Sequence, residues 1–312
     1  MCRWVPLSKQ RTARKYESIS HTLISQCKEE IIVIEYLEAL STPEPKITRT
    51  HSDWISAIDT SLLQLNKHNL LDTYIIPYGS YENQISILFE EKNVESGSLQ
   101  LDPLIVGNHF GPVLGISSKV VEEDSRHIFA TTDSNLADTL MIASSSQDCT
   151  AQICSVNLKD KTSKVYRVLK DHEGAVEDIK YSPSGKLVAT ASWDQYIRIY
   201  SPEDEIRFDK KQNKRKKLNE DEVGVAPRST WAGHNQCVSA VAWNSESELV
   251  SVSWDHSIRF WDVESGVSTR QMMGNKVALD LDINAKSTLL ATAHADKSVR
   301  IWDPRVNEPS ID

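Results

Sequence analysis

Serine, histidine and aspartate recur together along this 312-residue chain, and these are the side chains from which a hydrolase assembles a nucleophile, a base and an orienting acid. The fullest set is His234, Ser253 and Asp255, with Trp261 close behind. A catalytic relay is needed once, whereas here its parts return as His172 with Asp194 and as Asp296 with Trp302. Repetition is what buried polar groups in repeated units require, because each unit must satisfy its own hydrogen bonds. These eight residues are therefore read as structural pins rather than as catalysts. Other chemistry is missing. There is no G-x-G-x-x-G, Walker loop, HExxH or G-x-S-x-G. The five cysteines form no CxxC pair and show no zinc spacing, so neither a metal nor a cofactor is expected.

The elements that position these residues emerge when the chain is aligned on itself. Ala191–Tyr200 (ASWDQYIRIY) matches Val252–Trp261 (VSWDHSIRFW) and Ala293–Trp302 (AHADKSVRIW). Weaker copies are Gly79–Leu88 and Ser145–Cys154. The acid falls at Glu82, Asp148, Asp194, Asp255 and Asp296, with gaps of 66, 46, 61 and 41 residues. The short gaps define a unit in the low forties, and the long ones carry insertions. Upstream of each acid lies a second marker, at His51, His109, His172, His234 and Asn275. Between the markers, runs such as Val238–Trp243 and Glu248–Ser253 alternate with period two and are separated by turn residues, so they predict antiparallel strands. The fold expected is an all-β repeat protein.

If the first two strands of a unit are antiparallel, the upstream marker and the acid share one end of the unit. The residue just before each acid then projects from that end: Tyr81, Gln147, Trp193, Trp254 and Ala295. Tyr81, Trp193 and Trp254 are candidate partner contacts, since exposed aromatics are enriched at interaction hot spots; the competing reading is that each ring packs on its neighbour. The insertions, near 120–137 and 202–227, belong to the opposite end. The second contains Lys210, Lys211, Lys214, Arg215, Lys216 and Lys217 between two acidic clusters. This run reads as a nuclear localisation signal or an RNA contact, against the alternative of a solvated loop of mixed charge.

Composition narrows the function classes. A charge of −9 and a pI near 5.5 argue against nucleic-acid binding by the whole surface. Apolar residues at 39% suffice for a core, and the longest apolar stretch, 31–40, is interrupted by glutamates and too short to span a bilayer, so no membrane role is expected. Sparse, odd cysteines fit a reducing compartment. The basic N-terminus has neither the apolar stretch of a secretory signal nor the amphipathic periodicity of a transit peptide.

Gly-His, two strands, Ser-x-Asp and Trp-Asp together resemble the WD-repeat family, which implies a β-propeller whose blades are pinned by His, Ser or Thr, Asp and Trp. In the first two units Glu82 replaces the acid, and Leu88 and Cys154 replace the tryptophan, so their hydrogen-bond sets are expected to be broken. A narrower resemblance covers about residues 22–305. The strand-like 29–40 (EEIIVIEYLEAL), the Pro-containing 41–45, Thr50–Trp54 (THSDW), Gly274–Asn275 in place of Gly-His, and the basic loop together resemble the WD-repeat ribosome-biogenesis subunits of PeBoW-type complexes. That resemblance implies a scaffold in large-subunit (pre-60S) maturation and precursor rRNA processing. It also implies pescadillo-type and block-of-proliferation-type partners and residence in the nucleolus, nucleus and nucleoplasm. An AAA-type remodelling ATPase engages the full-length family but is not expected to engage this chain. The domain layout expected is a remnant of a ubiquitin-like domain over 1–40, a linker over 41–48, a propeller over 49–305 and a tail over 306–312. The family has seven blades and five units are recognisable here, so the chain is expected to be a truncated form. The other reading left open is a WD-repeat adaptor of a different nuclear complex, such as a ubiquitin-ligase substrate receptor or a chromatin subunit.

Overall fold

The alternating runs form strands, and every sheet they build is an antiparallel meander in chain order. In the computed structural model the described residues are 21–27, 30–36, 46–49, 55–59, 73–91, 103–120, 139–202, 225–284, 289–305 and 309–311. A three-stranded sheet comes first: β1 (His21–Cys27), β2 (Glu30–Tyr36) and β3 (Lys46–Arg49). Five four-stranded blades follow. Blade 1 is β4 (Ile55–Ile58), β5 (Thr73–Ser80), β6 (Gln84–Glu91) and β7 (Leu104–Asn108). Blade 2 is β8 (Val113–Val120), β9 (Thr139–Ser146), β10 (Ala151–Asn157) and β11 (Thr162–Leu169). Blade 3 is β12 (Val176–Tyr181), β13 (Val188–Ser192), β14 (Ile197–Tyr200) and β15 (Ser229–Trp231). Blade 4 is β16 (Val238–Trp243), β17 (Glu248–Ser253), β18 (Ser257–Asp262) and β19 (Ser268–Met273). Blade 5 is β20 (Ala278–Asn284), β21 (Leu289–His294), β22 (Val299–Trp302) and β23 (Pro309–Ile311).

Two expected boundaries move. The 41–48 linker overlaps β3, whose Lys46 and Ile47 pair with Val33 and Ile32. The 306–312 tail supplies β23, the outer strand of blade 5, because an unpaired β22 edge would leave its backbone groups unsatisfied. Of the segment expected as a ubiquitin-like remnant, β1 and β2 form one hairpin, and β1 also approaches β4.

The first strands of successive blades, β4, β8, β12, β16 and β20, lie side by side. Each carries a register shift at the same place, after Ile55, Val113, Val176, Val238 and Ala278. A bulge adds local twist, which suits strands that converge about an axis. The convergence is tight. A Cβ on Gly115 of β8 would lie 2.7 Å from Ser145 Oγ and 3.1 Å from the Asp178 Cα of the next blade.

The core is a series of layers between blades. Ile85, Ile87 and Val106 of blade 1 meet Val113, Ile142 and Cys154 of blade 2. Ala143, Ala151 and Ile153 of blade 2 meet Ile179, Val188 and Tyr200 of blade 3. Ala191, Ile197 and Ile199 of blade 3 meet Val241, Leu249 and Trp261 of blade 4. Val252, Ile258 and Phe260 of blade 4 meet Leu281, Leu290 and Trp302 of blade 5. Blades 2, 3 and 4 thus carry an apolar layer on each face, so each of them needs a neighbour on both sides.

Candidate partner-binding surface

Every b–c turn, joining the second and third strands of a blade, has one conformation. The residue after the acid is left-handed in all five: Asn83, Cys149, Gln195, His256 and Lys297, with φ between 67° and 75°. Where the backbone bond is formed, it closes a four-residue turn. Asn83 N–H donates to Ser80 O at 3.2 Å, Gln195 to Ser192 at 3.2 Å, His256 to Ser253 at 3.1 Å and Lys297 to His294 at 3.0 Å. This is the tight hairpin in which a left-handed residue follows the turn.

The acid fastens that turn to the loop entering the same blade. In blade 4, one oxygen of Asp255 accepts Ser257 N–H at 2.9 Å, while the other accepts Asn235 N–H at 3.0 Å and contacts His234 Nδ1 at 3.0 Å. His234 Nε2 lies 2.7 Å from Ser251 Oγ, which accepts the Trp261 indole N–H at 2.8 Å. Donor and acceptor capacities close the chain in one direction: indole to Ser251, Ser251 to His234 Nε2, and His234 Nδ1–H to Asp255. Burial lowers the His234 pKa, so the ring is neutral, against an opposing pull from Asp255. Burial alone would raise the Asp255 pKa, but the bonds from His234, Ser257 and Asn235 outweigh it and hold the carboxyl well below its usual range. The same balance, with His172 and Arg198 as donors, holds Asp194 low.

The serine in this chain is Ser251, and the expectation that Ser253 fills the place is corrected. Both point to one face of β17, since strand side chains repeat every two residues. Ser253, at the strand end, accepts Asp255 N–H at 3.0 Å and donates to Gln236 O at 3.3 Å, so it pins the turn and does not meet the imidazole. The residue four before the acid is the one level with the histidine: Ser144, Thr190, Ser251 and Thr292. That recurrence of small hydroxyls is the sequence signal that identifies it.

Blade 3 keeps the set with Thr190, as His172 sits 2.9 Å from Asp194 and 2.7 Å from Thr190 Oγ1. Its Tyr200 turns to Asp171 at 3.3 Å instead. The expected break in blade 2 is also corrected, because His109 reaches Asp148 at 3.1 Å and Ser144 at 2.9 Å. Losing the tryptophan to Cys154 removes only the outermost donor and leaves the relay behind it intact. In blade 1, Glu82 is half-buried and Leu88 is buried, and His51 lies outside the described residues. Blade 5 replaces the missing loop histidine. His294, at the end of β21, puts Nε2 2.7 Å from Thr292 Oγ1, which also accepts the Trp302 indole at 2.7 Å. Asp296 pairs with Arg300 at 2.7 Å.

The hydroxyls of these sets are engaged inside their blades. A cavity of 330 Å³ lies at the opposite end, between blades 3 and 4, lined by Arg228, Glu246, Asp262 and Glu264 among others. Among the described residues no group of three His, Cys, Asp or Glu could hold a metal ion, and no helix is long and apolar enough to cross a membrane.

What the turn end does present is aromatic surface. Tyr81 is 48% exposed and Trp193 50%, and Phe110, in the loop after His109, is almost wholly exposed. Trp193 and Trp254, from adjacent blades, come together with ring centroids 5.6 Å apart and planes 54° to each other, while Tyr81 stands apart on blade 1. Trp254 is half-buried. The sequence reasoning missed Phe110, which follows the marker histidine rather than preceding the acid. It also missed Glu177, the bulge residue of β12, whose carboxylate accepts the Trp193 indole N–H. The insertions fall where expected, between β8 and β9 and between β14 and β15. The basic residues Lys210, Lys211, Lys214, Arg215, Lys216 and Lys217 lie outside the described residues.

Residues 163–201, 226–262 and 267–303 match the model of the WD domain, G-beta repeat. The fold is a WD-repeat β-propeller. These spans cover blades 3 and 4 and most of blade 5, where the pinning sets hold a turn Asp and either Trp or Tyr. The WD40 β-propeller domain of Doa1 has a similar structure, with a TM-score of 0.61 at 17% identity, covering 94% of this chain and 84% of that one; at this identity the likeness speaks for the fold alone. Among curated proteins, the chain is similar to the ribosome biogenesis protein WDR12 homolog of Drosophila erecta, 30% identical over 285 residues. The homolog of Aedes aegypti is 29% identical over 287 residues. Each alignment covers 91% of this WD-repeat chain and 59% of the relative, so the chain spans less than two thirds of the curated relatives it matches.

Proposed function

We propose that this WD-repeat chain is a non-catalytic scaffold in ribosome biogenesis, acting in maturation of the large subunit and processing of its precursor rRNA. The observation that carries the reading is the extent of the likeness to proteins named for ribosome biogenesis, 285 residues from a chain of 312. A repeated domain such as a WD propeller is shared by many functions, so the fold alone would not carry it. The buried placement of Ser144, Thr190, Ser251 and Thr292 supports a scaffold over an enzyme, since their hydroxyls are engaged within their blades.

The finer reading names pescadillo-type and block-of-proliferation-type proteins as partners, with the nucleolus and nucleoplasm as the location. Trp193, Trp254 and Tyr81 are the contact residues offered at the turn end, and Lys214, Arg215, Lys216 and Lys217 the nuclear address. Replacing Lys214–Lys217 by alanine should shift the protein from nucleus to cytoplasm.

The test is affinity purification of the endogenously tagged protein with and without RNase, read by mass spectrometry and by gradient sedimentation. Co-sedimentation with large-subunit precursors and RNase-resistant recovery of the two partners are expected. Recovery of ubiquitin-ligase or chromatin subunits without ribosomal precursors would overturn the function and leave the propeller standing.

A further inference from the structure

The seam between blades 3 and 4 holds an acid that forms no ion pair among the described residues. Glu177 is half-buried at the bulge of β12, and its carboxylate accepts the indole N–H of Trp193. Burial pushes its pKa up, and the neighbouring charge that bears on it, Asp178, raises it further. Among the described residues no ion pair includes Glu177. Two cations of its own blade are committed elsewhere, Arg198 to Asp194 at 2.6 Å and Lys180 to Asp178 at 3.5 Å. The field of the carboxylate extends across the seam, because Glu177 and Asp194 both raise the thiol pKa of Cys237, after burial, in the loop leading to β16. A partly buried carboxylate without a counter-charge is unfavourable, and a cation arriving from outside would relieve it.

Beside this acid stand the two indoles, in contact with each other, and their backbones are held in place. The Trp193 backbone N–H donates to Ala175 O at 2.9 Å, and the Trp254 backbone N–H to Cys237 O at 3.0 Å. Trp193 keeps half its surface in water, although each flanking turn is pinned by its Asp. Rigid, exposed indole faces attract cations through the ring quadrupole, and a planar guanidinium can stack on one ring while it hydrogen-bonds a carboxylate.

We propose that Glu177, Trp193 and Trp254 form a receptor for one arginine side chain carried on an extended segment of a protein partner. The inference rests on the scaffold reading above and gives its turn end a ligand chemistry. Tyr81 and Phe110, on blades 1 and 2, are outside this receptor.

The test uses the full chain labelled with ¹⁵N, following the tryptophan indole signals during titration with the peptide Ac-Gly-Gly-Arg-Gly-Gly-NH₂. A saturable shift of the Trp193 indole is expected, weakened about tenfold in both Glu177→Gln and Trp254→Ala and unchanged in Tyr81→Ala. Glu177→Gln keeps the shape of the side chain, so its folding is not at issue, and the other indole signals report whether Trp254→Ala remains native. Equal half-saturation in wild type and Glu177→Gln, or equal binding of the peptide with Glu in place of Arg, would overturn the proposal. So would a lysine peptide binding as tightly as the arginine one, because the planar group is part of the argument. Such a failure, with ribosomal precursors still co-purifying, would remove the receptor and leave the scaffold function intact.

Discussion

Blades 4 and 5 are close copies in sequence and differ in how they are enclosed. Ser257–Asp262 reads SIRFWD and the matching stretch from Ser298 reads SVRIWD. Ile258 is 1% exposed beneath blade 5, whereas Val299, at the same place in its own blade, is 62% exposed. Phe260 is fully buried and Ile301 only partly so. Along the second strands, Val250 and Val252 are buried while Ala291 and Ala293 are half-open. The inner strands follow suit. In blade 3 Asp178 spans its seam by accepting Val241 N–H of blade 4 at 3.1 Å, whereas the matching Asp280 of blade 5 accepts, among the described residues, the N–H of its neighbour Leu281 at 2.8 Å. Pinning is thus a property of one blade and enclosure a property of two. The same residue types can satisfy the first and lack the second.

The largest contrast follows from that face. Ile258→Asp would bury an unpaired carboxylate between blades 4 and 5 and is expected to cost at least about 4 kcal/mol, enough to unfold the region. Val299→Asp places the same group in water and is expected within about 0.5 kcal/mol of wild type. Urea unfolding of the two variants reads the difference; equal costs would mean that the open face of blade 5 is covered in solution.

Histidine gives the next contrast. His234→Ala strands both Ser251 and Asp255 and is expected to cost about 2 kcal/mol in the same assay. Asn275→Ala, at the matching loop position of blade 5, should cost less than about 0.5 kcal/mol, because the imidazole of that blade comes from His294. His294→Ala should then cost about 1–2 kcal/mol, by leaving Thr292 with the indole alone. If Asn275→Ala were the costlier of the two, the substitution of one histidine for another would be wrong.

How much of this was legible in the sequence depends on the range of each interaction. The repeat, the strand order, the turn acid and the end of the blade from which aromatics project follow from spacing and period-two alternation, which are local. The sequence set names Ser253, two residues before the acid, yet contact with His234 is set by depth along β17 and falls to Ser251. Blade 2 was expected to fail because Cys154 is a poor substitute for tryptophan, but its relay needs only Ser144, His109 and Asp148. His294 and Glu177 were missed for a different reason. One works from an unfamiliar position, and the other is an ordinary surface residue until a bulge turns it toward Trp193. The exposure of Val299 has no sequence signal at all, since it depends on what stands beside the blade.

The two serines sharpen the within-blade side of the comparison. Ser251→Ala removes the acceptor of the Trp261 indole and the partner of His234, both buried, and is expected to cost about 2 kcal/mol. Ser253→Ala releases a part-buried turn N–H, so about 1 kcal/mol is expected in urea unfolding. A reversed order would return Ser253 to the relay.

The smallest expected effect is in pH, and it decides how the relay carries its protons. His234 has its pKa lowered from 6.5 in the fold, chiefly by burial. Its contribution is therefore fully present above 6.5 and is lost as pH falls from there toward the folded value, because the unfolded chain takes up a proton that the fold refuses. Asp255 acts lower. Its carboxyl is held below the usual 3.8, so its contribution stays intact down to that value and is lost only as pH falls further, through the folded pKa. Between pH 6.5 and 5 the imidazole alone should move. The stability gap between wild type and His234→Gln, measured by urea unfolding, should narrow by about 0.5–1 kcal/mol over that interval. His172 has its pKa lowered for the same leading reason and remains in both proteins, so it cancels from the gap. A gap that widens on acidification would mean that the ring is held as an imidazolium against Asp255. The bond between Ser251 and His234 would then have to be reversed, because a ring with two N–H donors cannot accept from Ser251.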